Sequence, residues 1–321
     1  MRRGLILLVG VMVLALTPAL VCAQFGGMPG ISGLPGFGGF FGSGSGCGAG
    51  AATPAIAPSV YFGWMPEQEN NVSAGLDAQN LGAWNIRTVN LKYRTGGFWL
   101  GGIVPVQLTE KVSFLGSGWY LFPSDSSAGQ MWENGEIRQV AFNYGNDWTK
   151  KDIWWFVDGV LAYGDSNFSV LAGLRYDKFS TNYSGANINF NNGQQLDLIA
   201  QSIIPLLGVQ AGYKSSASSL NVRIVGIPTN AGNAKVNFTV ANNNRLEATG
   251  NYNGGHFLEV FAEYARQIFQ NGDAGVFLRW NTTRVTSDVS ATTTQAPTTD
   301  DYLLSFNRNT WTLGGKVGIS F

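Results

Sequence analysis

A chain of 321 residues can hold one large domain or two ordinary ones, but its composition is unusual for a soluble protein. Charged residues make up 12%, about half the usual ~25%, while 45% are hydrophobic and there are 43 Gly, 20 Phe, 11 Tyr and 10 Trp. Lys+Arg and Asp+Glu both number 20, and a formal charge of zero excludes the basic excess expected of a nucleic-acid binder.

Met1-Arg2-Arg3 is a short positive start, and residues 5–16 form an uninterrupted apolar run. Val21-Cys22-Ala23 then supplies small residues where signal peptidase accepts them, so cleavage is expected after Ala23. Loss of Arg2 and Arg3 would leave 18 basic and 20 acidic residues, and Cys47 as the remaining cysteine. That predicts export without an intramolecular disulfide or a cysteine-built metal site. No later apolar run reaches the ~18 residues of a helical membrane span. Residues 24–50 hold 12 Gly among 27 and cannot offset their ordering entropy with a core. The expected organisation is a signal peptide over 1–23, a Gly/Pro-rich flexible arm over 24–57 and a folded unit over 58–321.

From Val60 onward the hydrophobic period is two. Strands are predicted near 84–94, 98–107 and 112–122. In an alternative reading 60–65 is the first strand and 89–106 is one long strand. Residues 152–163 alternate Ile153, Trp155, Val157, Leu161 and Tyr163 against a face carrying Asp158. A turn at 164–167 leads to Phe168, Val170, Ala172, Leu174 and Tyr176, with Arg175 and Asp177 opposite. Further hairpins are predicted from 203–213 with 220–227, and from 257–268 with 274–284 through Asn271-Gly272. At the C-terminus Trp311, Leu313, Gly315, Val317, Ile319 and Phe321 alternate with small and polar residues. Twelve residues are long for a soluble strand and suit a tilted membrane-spanning one. Long polar connections are expected at 123–150, 181–197, 229–254 and 286–309.

Short turns alternating with long polar loops is the asymmetry of outer-membrane barrels. With the signal peptide, the alternating strands, the 170–177 strand and the aromatic C-terminus, the chain resembles bacterial outer-membrane β-barrel proteins. The resemblance spans about 58–321 and is architectural. It implies an all-β fold, an antiparallel transmembrane up-and-down barrel of about ten strands (8–12), in the outer membrane of a Gram-negative bacterium. It also implies outer-membrane lipid and the barrel-assembly machinery as partners. Trp311, Leu313, Val317, Ile319 and Phe321 would form the assembly signal, and an extracellular ligand would meet the long loops. The class hosts pores, adhesins and enzymes, so the fold does not supply function.

Strict alternation assigns the charged residues to the lumen by elimination, because a charge facing lipid at mid-depth costs about 2–4 kcal/mol. The inward set is Asp158, Arg175, Asp177, Arg223, Glu259, Glu263, Arg279 and Lys316. Four bases and four acids, with Phe261 and Phe277 on the same parity, predict a salt-bridged, largely filled interior rather than an open pore. A narrow channel or transporter is the alternative. Trp154, Trp155, Tyr163, Tyr176, Tyr213, Tyr264, Trp280 and Trp311 fall near predicted strand ends, where outward-facing members would form interfacial girdles.

Signatures of a third reading, an outer-membrane lipid hydrolase or protease, are weak. His256, the one histidine, shares the lipid-side parity of Leu258, Val260 and Tyr264, and the same-face position two residues on is Leu258 rather than a nucleophilic Ser. Asp300-Asp301 is expected in an outer loop, where adjacent acids are ordinarily just solvated. Glu259 and Glu263 lie about 13 Å apart along a strand. A glycosidase pair needs about 5–9.5 Å. They are better read as partners of Arg279 and Arg223. No enzyme activity, cofactor or metal is expected.

Overall fold

A computed structural model describes residues 57–76, 88–124, 129–133, 136–142, 148–185, 194–215, 217–228, 231–240, 244–269, 271–293 and 300–319. The expected signal peptide, the Gly-rich arm up to residue 56 and Phe321 lie outside them. The described residues form thirteen strands. They are β1 (Ser59–Leu76), β2 (Thr88–Gln107), β3 (Val112–Pro123), β4 (Gly129–Glu133), β5 (Glu136–Phe142), β6 (Trp148–Gly164) and β7 (Phe168–Gly185). Then follow β8 (Gln194–Lys214), β9 (Ser218–Ile227), β10 (Ala231–Val240), β11 (Asn244–Phe269), β12 (Gly272–Thr293) and β13 (Asp300–Ile319).

Ten of these close a ring, in the order β1, β2, β3, β6, β7, β8, β9, β11, β12, β13 and back to β1, each pair antiparallel. Closure leaves no sheet edge, so every backbone polar group in the wall can be paired without water. The three remaining strands stand on one end of this ring. β10 continues the line of β9 between β8 and β11, while β4 continues the line of β3 beside the outer part of β2 and carries β5.

The connections sort by length. The connections from β2 to β3, β6 to β7, β8 to β9 and β11 to β12 are short and lie at the same end as Pro58 and Ile319, which are joined by an Ile319 N–H to Pro58 carbonyl bond of 3.1 Å. In the 165–167 turn the Asp165 carboxylate accepts the N–H groups of Asn167 and Phe168 at 2.8 and 2.9 Å. Those two donors hold its carboxyl below the usual carboxylate range.

Two sequence expectations change. Residues 84–94 and 98–107 are not separate strands: 88–107 is continuous, and 59–76 precedes it, as in the alternative reading. Ten ring strands remain because one is gained where one is lost. The connections at 123–150, 181–197, 229–254 and 286–309 are also not simply loops. β4, β5, β10 and the outer parts of β6, β7, β8, β11, β12 and β13 occupy much of them. Asp300 and Asp301 accordingly open β13, opposite Ala291 and Ser290. Beyond the apolar band both faces of these hairpins can be polar, so backbone pairing continues after hydrophobic alternation has ceased.

The outer surface of the ring is apolar. Phe62, Leu174, Ile203, Leu207, Val276 and Leu313 are each about half exposed. The eight steps from Trp311 to Ile319, at ~3.4 Å each and tilted by about 40°, rise roughly 20 Å, near the ~25 Å band of outer-membrane barrels. Tyr163, Tyr213 and Tyr264 border it near the short turns, and Trp64 and Trp311 border it at the other end, ring edge to ring face at 6.4 Å. Leu207 lies inside the band, at 59% exposure. Leu207→Arg is expected to destabilise the barrel by about 2–4 kcal/mol, lowering the temperature at which its compact form unfolds on SDS gels. An unchanged transition would mean that this face does not meet lipid.

The wall has one irregular seam. The β1–β13 register runs to Trp64↔Leu313 and resumes only at Asn71↔Asn307, and β1 slips against β2 between Met65 and Gln68. Pro66 sits in this stretch and has no N–H to give to a ladder. The Gln68 side-chain amide takes the backbone's part: its Nε2 donates to the Trp311 carbonyl and its Oε1 accepts from the Trp311 N–H, both at 2.9 Å.

Candidate functional site: a filled, ion-paired lumen

Side chains that alternate away from lipid converge on the barrel axis. The eight charged residues assigned to the interior are all buried, at 0–7% exposure. Arg175 binds Asp158 through two bonds, Nε to Oδ1 at 2.6 Å and Nη2 to Oδ2 at 2.9 Å, across the directly opposed β6–β7 pair. It also reaches across the lumen to Glu259, with Nη1 to Oε2 at 2.8 Å and Nη2 to Oε1 at 3.1 Å. Arg279 Nε donates to Glu259 Oε2 at 2.8 Å, and Arg223 Nη2 lies 3.4 Å from Oε1. One carboxylate therefore faces three guanidiniums from β7, β9 and β12.

Towards the short-turn end, Glu263 accepts the Tyr61 hydroxyl at 2.7 Å and lies 3.4 Å from Lys316 Nζ. Its charged partner is thus Lys316, not Arg279 or Arg223, since Glu263 sits one layer below the guanidiniums. Lys316 also approaches Asp273 at 3.6 Å. Towards the other end, Asp177 accepts from Arg308 Nη2 at 2.9 Å. Asp152 accepts from Thr181 at 2.6 Å and Thr95 at 3.2 Å.

Aromatic rings fill the space between these polar layers. Trp119 contacts Tyr61, Phe156, Phe261 and Phe277, with ring centroids 5.3–6.2 Å apart. The Arg279 guanidinium lies over Phe156 at 4.1 Å and over Trp119 at 5.3 Å, so the charged and aromatic layers interlock. Gly101 faces Trp119 directly in the β2–β3 register, and a Cβ there would meet the indole. The glycine makes room for the ring. On the β3–β9 side of the short-turn half, Leu115, Val160, Leu171, Ile204, Leu206 and Val225 form a buried apolar cluster.

Arg308, Asp152 and the lumenal rings Trp99 and Trp154 belong to this interior but were absent from the charged set read in the sequence. Arg308 fell in a segment read as loop. Extending the parity of Lys316 through Thr312 and Thr310 leads to it, as the parity of Asp158 leads through Phe156 and Trp154 to Asp152. Trp154 is accordingly buried at 1%, while its neighbour Trp155 packs against Tyr176. Trp311, Leu313, Val317 and Ile319 face outward. His256 is exposed on the outside of β11, opposite Arg284. Among the described residues, no cluster of His, Cys, Asp and Glu has the grouping a metal would need.

Comparison with known structures agrees with this architecture. The outer-membrane protease OmpT of Escherichia coli matches over 83% of this chain and 97% of its own, with a TM-score of 0.63 at 13% identity. The fold is that of an outer-membrane β-barrel. OprG of Pseudomonas aeruginosa, an outer-membrane protein, aligns over 84% of this chain and 96% of its own, with a TM-score of 0.30 at 10% identity. No protein-family profile matches the chain, and no curated protein matches it. The barrel is therefore established as an architecture, and its role rests on its own residues.

Proposed function

We propose that this barrel is a non-conducting outer-membrane protein with a structural or surface-binding role and no catalytic activity. The observation that carries the reading is the filled cross-section. Arg175, Glu259 and Arg279 meet at the axis at 0–2% exposure, with Phe156, Trp119, Phe261 and Phe277 packed beside them. A ten-stranded ring lies near the eight-stranded size whose interior side chains can fill, whereas open porins use about 16 strands or more. Balanced ion pairs across the lumen cross-link opposite walls and leave no single-sign lining to select an ion. The lipid-facing band and the girdles support an outer-membrane location.

OmpT is a protease, but likeness of fold passes on no catalytic group. His256 lies on the outer face, and Asp158, Asp177 and Glu259 are each ion-paired to a buried guanidinium. Two assays on the barrel reconstituted in liposomes test the reading. Osmotic swelling in small sugars should match protein-free vesicles, and casein should remain uncut. Swelling at porin-like rates would favour the channel reading, and hydrolysis would favour an enzyme.

A further inference from the structure

Among the described residues, seven buried side-chain polar atoms make no hydrogen bond, and three of them belong to one cross-strand pair. These are Nε and Nη1 of Arg308 on β13 and Oγ1 of Thr283, its direct partner on β12. Both side chains point inward, at 3% and 2% exposure. Arg308 uses Nη2 on Asp177 and lays its guanidinium over Trp154 at 3.6 Å, with Phe306 and Phe179 at 5.6 and 5.8 Å. Buried donors are rarely left unpaired, and several on one pair of residues point to an absent acceptor.

A second observation lies in the adjoining wall. Residues 308–312 of β13 are the stretch that has no register partner on β1, and the Gln68 amide bridges it. Two exposed side-chain bonds replace a ladder there, and such bonds are the first to open. The gap lies beside Trp64 and Trp311, at the rim of the lipid-facing band.

We infer that the outer half of the lumen binds a singly charged acidic amphiphile from the membrane, with its carboxylate on Arg308 and Thr283 and its apolar body against Trp154, Phe179 and Phe306. The molecule enters through the β1–β13 seam when Gln68 releases Trp311. One negative charge fits better than two, because Asp177 stays beside Arg308 and Asp152 lies in the same half of the lumen, and both repel a dianion more strongly. The site is blind: the Arg175–Glu259–Arg279 layer closes its floor, so the molecule is held rather than passed. This deepens the surface-binding reading and rests on the filled lumen, which conductance tests separately.

The experiment uses the full-length barrel in phosphatidylcholine vesicles, titrated with a bromine-labelled twelve-carbon carboxylate and the matching alcohol, with tryptophan quenching as the readout. The carboxylate should quench saturably, and the alcohol only in proportion to its partitioning into lipid. Arg308→Gln should raise the Kd at least tenfold and Thr283→Val several-fold. Gln68→Ala should speed association several-fold while leaving the Kd within twofold. Equal quenching by the two probes would overturn the site, as would an unchanged Kd in Arg308→Gln. Should that variant fail to fold, an unchanged Kd in Thr283→Val decides against it. Tighter binding of the corresponding alkyl phosphate would overturn the single-charge assignment, and an unaltered association rate in Gln68→Ala would overturn entry through the seam.

Discussion

Glu259→Gln is expected to destabilise the barrel by about 3–5 kcal/mol, the range for breaking a buried ion pair from one side. The substitution keeps the shape of the side chain and removes the charge on which Arg175, Arg223 and Arg279 converge. Asp158 would then be the remaining acid in that layer, against three buried guanidiniums. The penalty comes from stranding cations, not from losing a favourable bond, because buried ion pairs often add little net stability. Removing one of the stranded charges should therefore recover part of the loss. Arg279→Met placed on Glu259→Gln is expected to be more stable than Glu259→Gln alone, by about 1–2 kcal/mol on the usual scale of coupling between contacting residues. Urea unfolding in lipid vesicles, followed by tryptophan emission, measures both. A Glu259→Gln barrel as stable as the wild type would show that the carboxylate does not hold the layer together.

Trp119→Ala should cost about 3–5 kcal/mol, as large-to-small changes at filled positions do. The indole is 2% exposed and touches four other rings, so no neighbour can move into its place without breaking its own contacts. Gly101 gives the prediction a sharper form. Gly101→Ala alone should destabilise by about 1–3 kcal/mol through overpacking against the indole. In the Trp119→Ala background the same methyl group enters vacated space and should be close to neutral. A double-mutant cycle on unfolding midpoints reads this coupling directly. Additive losses would mean that the glycine serves the strand backbone rather than the ring.

The membrane-spanning parts of the fold are legible in the sequence for a physical reason. Lipid demands an apolar side chain at every second position, so Trp311 through Ile319 or Phe168 through Tyr176 can be assigned to a face by parity alone. Above the membrane the demand ceases. Residues 287–293 carry Ser, Asp, Thr and Ala around a single Val289, with little hydrophobic alternation, yet they pair with β11 and β13. There the backbone ladder, which leaves no side-chain signal, decides the structure. Arg308 was missed for the same reason, although the parity of Lys316 reaches it.

Parity places a charge in the lumen but carries no axial coordinate. That Glu259 meets Arg175, 84 residues away, depends on the stagger of strands around the ring. That Glu263 meets Lys316 and Tyr61 depends on its lying one layer lower. The seam at Gln68 is hidden for another reason. Pro66 marks an irregularity in the chain, but which neighbouring strand loses its ladder follows only from closure of β1 on β13.

The filled lumen is the centre of this account, and single-channel recording tests it most directly. The purified barrel, inserted in a planar bilayer at physiological salt, is predicted to give a flat baseline at moderate voltage, with insertion verified by resistance to protease in the same preparation. Stable unitary current steps from the wild-type protein would contradict it, and steps altered by Glu259→Gln would place the conducting path through the layer described as closed.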